Sequence, residues 1–425
     1  MVNSRTILRI IWLIFLSGLG VRALWVYIVP VWQQADEYPH FYYVQHLHKY
    51  RGFPISRPVF PYYEGYQPPM YYVIAAGVYS LFPSLDEQRE QMGETVEVNF
   101  RSTDYQKENN SMALQLRWLS VLFWSGTFWV AVLFFRKFIW DKTEVSVLGL
   151  SFLAFLPTLV SNSSSITNDS LAVFLATLFI YLMMQEKIRL PNYLFLLGLI
   201  LGWGVLTKYN NLILIPVLVG SVVLFHRSST FRILLPLLGI AAVMVFPWFK
   251  FTGDTYGMPL AMNPGYETSQ AINGQAGTTL LVSARNLFWS FWAAAGRAYE
   301  IHLPVWWYVL VFGGMTILAV LGLVKLFVRV RSSAGITSFQ FNLIVLFFIA
   351  AVMLIVASLW YSLSYQIMTS WGKNLYVLIL PIAILFSVGW TQISAGRIWV
   401  ITPPMLLFVT NIVYLFGLAR HYYHG

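Results

Sequence analysis

The sequence predicts an all-α protein that crosses a membrane many times, and three observations lead to that fold class. Hydrophobic residues make up 58% of the 425 residues and charged residues 10%, whereas a soluble domain carries about 25% charged residues. Long apolar runs recur along almost the whole chain. Basic residues alternate between the loops that join these runs, as in oriented membrane helices. We therefore expect one transmembrane domain over residues 1–425, with no soluble C-terminal domain.

Eleven apolar runs have about the length that a membrane helix requires. The first, Ile10–Val31, is too long for the core of a signal peptide, which has about 7 to 15 residues. Arg22 interrupts it toward the outer end, where we expect the side chain to reach the headgroups, to pack, or to act near a site. The other ten runs are 113–135, 145–160, 169–185, 192–206, 211–225, 233–249, 304–324, 341–361, 374–391 and 398–418.

The charges of the short loops orient these helices. If the N-terminus is inside, the inner loops between spans hold eleven Lys and Arg residues, whereas the short outer loops hold only Lys208 and Lys373. Short cytoplasmic loops carry the basic excess in membrane proteins. The pattern predicts a cytoplasmic N-terminus, with a first extracytoplasmic loop at 32–112 and a second at 251–302.

The composition also excludes several functions. The chain has no cysteine, which excludes disulfides and thiolate chemistry. A net charge of +10 would favour nucleic acid as the partner of a soluble protein, but here it reflects the topology-determining loops. The 17 Trp, 25 Tyr and 32 Phe residues fit aromatic belts at both interfaces. We expect membrane lipids, and no nucleic acid, as partners.

The first loop begins with two adjacent carboxylates, Asp36 and Glu37. Asp36 is a good N-cap and Pro39 is tolerated in a first turn, so we expect a helix over Glu37–Tyr50. Capping alone would explain Asp36 without any chemistry. A divalent cation near Asp36, Glu37 and His40 is a further alternative by ligand type, but no spacing enforces a ligand geometry, and no metal site is predicted.

The rest of the loop carries a second motif. The segment Phe53–Pro69 is rich in proline and tyrosine and is expected to be extended. It ends in Gln67-Pro68-Pro69. A second helix is expected over Pro69–Phe82, and it is apolar enough to lie in the membrane interface.

The predicted topology gathers polar groups on the outer face. Lysine and arginine there could hold an anionic lipid phosphate by charge-assisted hydrogen bonds. A carboxylate could take the proton from an acceptor hydroxyl as general base. Because nucleotide sugars are not supplied outside the cytoplasm, a sugar carried on a polyprenyl phosphate is the expected donor. The outer polar residues are Asp36, Glu37, Asn168, Asp169, Lys208, Arg285, Arg297 and Lys373.

The order of these motifs resembles the GT-C glycosyltransferases that use phospholipid-carried sugars, which include the protein O-mannosyltransferases and aminoarabinose transferases of glycosyltransferase family 39. The resemblance covers nearly the whole chain. It rests on Asp36-Glu37 with His40, Gln67-Pro68-Pro69 with Tyr71-Tyr72, Ser161 through Asn168-Asp169-Ser170, Thr207-Lys208, Pro247-Trp248-Phe249-Lys250 and Gly372-Lys373-Asn374-Leu375.

This resemblance implies a GT-C fold and roles for individual residues. Asp36 matches the catalytic acidic residue of the family, and Glu37 is a supporting or alternative base. Many relatives have Gly-Arg where this chain has Gly372-Lys373, which replaces a bidentate phosphate ligand by a point charge. Donor-phosphate binding is implied for Lys208, Arg285, Arg297 and Lys373. Substrate binding is expected for His40, Gln67, Asn168 and Asp169.

Several of these residues have purely structural alternatives. Asn168 and Asp169 would cap the fourth predicted span whatever the function. Lys208 and Lys373 could simply extend to the headgroups. Arg297 could form a helical surface pair with the residue three positions later.

Three functional classes follow. The favoured one is an inverting glycosyltransferase of a bacterial plasma membrane, which moves a sugar from a polyprenyl phosphate to a lipid, glycan or protein hydroxyl on the extracytoplasmic face. A glycolipid transporter or flippase is disfavoured, because no internal repeat is found and the polar groups gather at one face. A catalytically silent subunit of a membrane complex is the third class.

Overall fold

A computed structural model describes residues 4–57, 62–81, 111–139, 142–261, 279–297, 299, 301–329, 338–364, 371–393 and 396–423. The described residues form α-helices, short 3₁₀ and π-helical segments and loops, with no β-strand among them. The α-helices are α1 (Ser4–Ile28), α2 (Glu37–Tyr50), α3 (Met70–Ser80), α4 (Ser111–Phe138), α5 (Thr143–Phe155), α6 (Pro157–Asn162), α7 (Asp169–Met183), α8 (Pro191–Val205), α9 (Leu214–Phe225), α10 (Thr230–Tyr256), α11 (Leu280–Trp292), α12 (Gly314–Arg329), α13 (Ser338–Ser364), α14 (Ile379–Ile393) and α15 (Arg397–Tyr423).

The all-α membrane fold class is confirmed. Seven helical segments of the described residues are long and apolar enough to cross a membrane. Each of the eleven predicted spans contains a helix, but four of them hold only a shorter apolar helix, namely α5, α7, α8 and the segment Tyr209–Phe225. Three of these shorter helices adjoin buried polar residues, which are Thr167 and Asn168 before α7 and Thr207 and Lys208 between α8 and the segment Tyr209–Phe225.

The two helices predicted for the first loop are also present. The first, α2, begins at Glu37 and ends at Tyr50 as expected, and α3 occupies most of the second predicted segment. Between them, Tyr62–Tyr66 forms a short 3₁₀ turn within the stretch expected to be extended. Residues 58–61 and 82–110 of this loop lie outside the described residues.

Glycine allows close helix packing at two places in the described residues. The backbones of α12 and α14 meet where Gly322 faces Gly389, and a Cβ atom on Gly322 would overlap the Gly389 carbonyl. Gly198 and Gly202, which the sequence assigns to packing, place α8 against Ile240 and Met244 of α10. Small residues let membrane helices approach in this way because lipid gives little hydrophobic drive between helices.

Of the expectations for Arg22, the structure shows packing and not contact with the headgroups. The side chain is fully buried. Its Nε donates to Ser163 Oγ at 2.7 Å, its Nη1 donates to the Ala154 carbonyl at 2.8 Å, and the guanidinium stacks over Trp124. These hydrogen bonds connect α1 to the α5–α6 corner. Loss of the guanidinium would leave buried acceptors without a partner, which is costly.

Substitution of Gly322 tests the α12–α14 contact. Gly322→Val should lower the thermal unfolding midpoint in detergent, because overpacking of this kind costs about 1–3 kcal/mol. Gly239→Val is the matched control, since a Cβ atom at Gly239 meets nothing within 4 Å. Equal shifts for the two variants would contradict the contact.

Candidate active site

Polar side chains from five parts of the chain converge beside the end of α1. They come from the start of α2, the 3₁₀ turn at Tyr62–Tyr66, the α6–α7 segment, the residues before Tyr209 and the turn at Gly372–Leu378. Asn210 Nδ2 donates to the Asn374 carbonyl at 3.2 Å, which joins the last two of these parts. This convergence lies on the side that the sequence predicts to be extracytoplasmic.

Asp36 is the accessible carboxylate of the cluster. It lies at the start of α2 with φ 57° and makes no side-chain cap hydrogen bond, so capping does not explain it. Its Oδ2 instead accepts from Lys373 Nζ at 2.9 Å. The Asp36 side chain is 29% exposed and that of Lys373 is 10% exposed. A positive φ at a non-glycine residue is costly and concentrates at functional sites.

Glu37 has a different environment from its neighbour. Both oxygens bond the Arg117 guanidinium, at 2.6 Å from Nε and 2.7 Å from Nη2. The backbone N–H groups of Trp32 and Ile166 donate to the same carboxylate. The Glu37 and Arg117 side chains are fully buried. We therefore assign Glu37 a structural role, in place of the supporting or alternative base that the resemblance implies.

Sequence reasoning missed Arg117. The residue lies near the start of α4, and its guanidinium also donates to the carbonyls of Val26, Val29 and Pro30. An arginine inside an apolar run was the available signal, because ionisable residues within spans are rare and have named partners.

A second buried ion pair joins α7 to the residues that follow α8. Lys208 Nζ donates to Asp169 Oδ1, and both residues are buried. Capping of α7 alone therefore does not explain Asp169, because its carboxylate pairs with Lys208. Lys208 is buried in this pair and does not extend to the headgroups. The N-cap of α7 is Asn168, which makes no side-chain cap bond and donates instead to Gln67 Oε1 at 3.2 Å and to the Thr207 carbonyl at 3.0 Å.

His40 is buried beneath the two ion pairs. Its Nδ1 lies 2.6 Å from Tyr72 Oη. Burial lowers the pKa of His40 to about 4, an effect that the charge of Asp36 only partly opposes. The imidazole is therefore neutral near pH 7 and can orient Tyr72 or a substrate hydroxyl without adding positive charge.

Two further residues of the cluster were not predicted. Glu64, in the 3₁₀ turn, is buried, and burial followed by the charge of Asp36 raises its pKa to about 7. Tyr299 has φ 56°, donates from Oη to Asn162 Oδ1 at 3.0 Å, and presents its ring to Lys373 Nζ at 5.2 Å. No local sequence pattern predicts that either residue belongs to the site, because both reach it only through folding.

The two arginines predicted to bind the donor phosphate, Arg285 and Arg297, differ from each other in their surroundings. Arg285 is exposed on α11, where it donates to Asn286 and lies over Trp289. Arg297 is half-buried in the loop after α11 and lies outside any helix, so it is not on a helix surface as expected. Its expected partner, residue 300, lies outside the described residues.

The residues fit a metal ion poorly. Among the described residues, no three His, Asp or Glu side chains are grouped so that they could hold a metal. Of the three candidate ligands Asp36, Glu37 and His40, Glu37 is occupied by Arg117 and His40 by Tyr72.

Comparisons with known proteins agree with the membrane architecture. Residues 85–253, less than half of the chain, match the model of the family described as dolichyl-phosphate-mannose-protein mannosyltransferase. The structure of ArnT from Cupriavidus metallidurans bound to undecaprenyl phosphate aligns with a TM-score of 0.51 and 14% identity over 90% of this chain. The chain has the fold of ArnT. This chain covers 60% of the length of that ArnT chain.

A second solved structure is similar to this chain at a lower level. ArnT from the same organism in the apo state aligns with a TM-score of 0.40 and 13% identity, covering 90% of this chain and 77% of that one. Among curated protein sequences, none matches the chain.

Removal of the buried charge tests the role of Glu37. Glu37→Gln should lower the thermal unfolding midpoint strongly, because breaking a buried ion pair costs about 3–5 kcal/mol. The control is Asp254→Asn, which breaks the exposed Lys250–Asp254 pair, where about 0–1 kcal/mol is expected. A Glu37→Gln variant as stable as the control would refute the structural role.

Proposed function

We propose that this protein is an integral-membrane glycosyltransferase that moves a sugar from a polyprenyl-phosphate-linked donor to an acceptor hydroxyl on the extracytoplasmic face. One observation carries the proposal: the accessible carboxylate of Asp36 lies against Lys373, in a cluster that also contains Lys208. The GT-C fold, the family match over 85–253 and the undecaprenyl phosphate bound to ArnT support the same class.

The two lysines are the proposed ligands of the donor phosphate. Each is held by one carboxylate, Lys373 by Asp36 and Lys208 by Asp169. Both charges act on His40 and on Asp169, so both ammonium groups lie near the same two residues. A phosphate between them would receive charge-assisted hydrogen bonds, and these would stabilise it further as it leaves the sugar.

Asp36 is the proposed general base. Lys373 favours the ionised carboxylate, and the exposed fraction of Asp36 lets an acceptor hydroxyl reach it. Deprotonation of that hydroxyl as it attacks the anomeric carbon, while the C–O bond to the phosphate breaks, gives a single displacement with inversion. The proton ends on Asp36 and the negative charge on the lipid phosphate.

The location follows from the same proposal. The chain is a multi-pass membrane protein. We further propose a cytoplasmic N-terminus, because the basic short loops then lie inside, and a bacterial plasma membrane as its site. The lipid, glycan or protein acceptor would approach from the outer side.

Asp36→Asn is the direct test of this mechanism. Transfer from a polyprenyl-phosphate-linked sugar by the purified protein should fall by about 100-fold or more, because a general base contributes about 10² to 10⁴ in rate. Thermal unfolding of each variant separates loss of the base from loss of the fold, and Asp254→Asn is the exposed-carboxylate control.

Two outcomes would contradict the proposal. If Asp36→Asn stays as active as the wild type, then Asp36 is not the base. If the folded wild type transfers no sugar across a broad set of donors and acceptors, a glycolipid transporter or a silent subunit becomes the better explanation.

A further inference from the structure

Glu64 is a buried acid that the proposed mechanism does not use. It lies in the 3₁₀ turn Tyr62–Tyr66 and is 7% exposed. Gly65 fixes this turn, because a Cβ atom there would lie 2.8 Å from the backbone nitrogen of Ser56 and 3.1 Å from the Pro54 carbonyl oxygen. The turn is therefore pressed against the preceding segment, and the position of Glu64 is defined by backbone packing.

The two Glu64 oxygens differ in their contacts. The Gln67 side chain lies near the carboxyl group and lowers its pKa, which opposes the effect of burial. Oε2 is buried and has no hydrogen-bond partner among the described residues. Buried polar atoms are nearly always paired, and leaving one unpaired costs about 1–3 kcal/mol. An unpaired oxygen at a polar site indicates a partner that binds there.

The charges around Glu64 come from several elements. Both lysines and one carboxylate of the cluster affect the pKa of Glu64, and the charge of Glu64 affects the pKa of two tyrosines. They are Asp36 before α2, Lys208 after α8, Lys373 in the turn before α14, Tyr66 in its own turn and Tyr72 on α3.

The charge balance favours the neutral form of Glu64. Lys373 is paired with Asp36 and Lys208 with Asp169, so each ammonium group already has a carboxylate partner. An ionised Glu64 would be a third carboxylate facing two cations. The pKa of about 7, raised by burial and by Asp36, agrees with a carboxyl group that keeps its proton below neutral pH.

We propose that Glu64 in its protonated form donates a hydrogen bond from Oε2 to an oxygen of a lipid phosphate held by Lys208 and Lys373. The inference rests on the proposed function, because it takes the donor to be an anionic polyprenyl phosphate. A buried carboxylic acid kept neutral can donate to an anion, which an ionised carboxylate would repel. Ionisation of Glu64 therefore removes a donor and adds a repulsive charge in the same step.

Binding of undecaprenyl phosphate to the purified full-length protein in detergent tests the proposal without requiring turnover. The dissociation constant is measured at about pH 6 and about pH 8.5 for the wild type and for Glu64→Gln. The second ionisation of a phosphate monoester falls near pH 6, but it affects both proteins equally. At the higher pH the wild type should bind undecaprenyl phosphate about tenfold more weakly than Glu64→Gln does. The reason is that the ionised Glu64 has lost a hydrogen bond to a charged group, and one such bond is worth about that factor.

Two further variants complete the comparison. Glu64→Leu removes the donor and should bind about tenfold more weakly than the wild type at the lower pH. Asp254→Asn, which changes an exposed carboxylate, should follow the wild type at both pH values. Thermal unfolding confirms that each variant is folded before its affinity is compared.

The outcomes separate this inference from the proposed function. Parallel pH responses of the wild type and Glu64→Gln, or unchanged binding by Glu64→Leu, would overturn the role of Glu64 and leave the phosphate site in place. If the folded wild type binds no undecaprenyl phosphate at either pH, the proposed donor class fails, and the role of Glu64 fails with it.

Discussion

The buried ion pair between Glu37 and Arg117 is the interaction on which the rest of the site depends. Desolvating two charges costs several kcal/mol per ion, so such a pair is tolerated only when hydrogen bonds satisfy its remaining atoms. Here two backbone N–H groups satisfy Glu37, and the carbonyls at the end of α1 satisfy Arg117. The pair thereby joins α1, α2, α4 and the α6–α7 segment at one point.

The same constraint explains why two adjacent carboxylates have different environments. Successive residues of a helix point about 100° apart, and the positive φ of Asp36 turns its side chain further from that of Glu37. Glu37 enters the protein to meet Arg117, whereas Asp36 stays partly exposed beside Lys373. Anchoring one carboxylate fixes where the other can act.

The buried polar segment between α6 and α7 connects the remaining groups. Its residues would be costly in an apolar layer unless paired, and six of them are hydrogen-bonded to residues around the site. Ser161 bonds Gln34, Asn162 bonds Tyr299, and Ser163 bonds Arg22; Ile166 bonds Glu37, Asn168 bonds Gln67, and Asp169 bonds Lys208. The site is thus held by side-chain pairing between helices, which gives it defined geometry within a mobile lipid environment.

The sequence by itself determined the membrane class, the presence of an apolar helix within each predicted span and the two loop helices, because apolar runs and local helix signals act over short distances. It also identified Asp36, Lys208 and Lys373 as polar groups that share one face. Only the tertiary structure decided that Glu37 pairs with Arg117 and that Arg22 is buried, and only it brought Glu64 and Tyr299 to the site. Those assignments depend on contacts between residues far apart in the chain, and the pairing of a buried charge is decided by the neighbours that folding supplies.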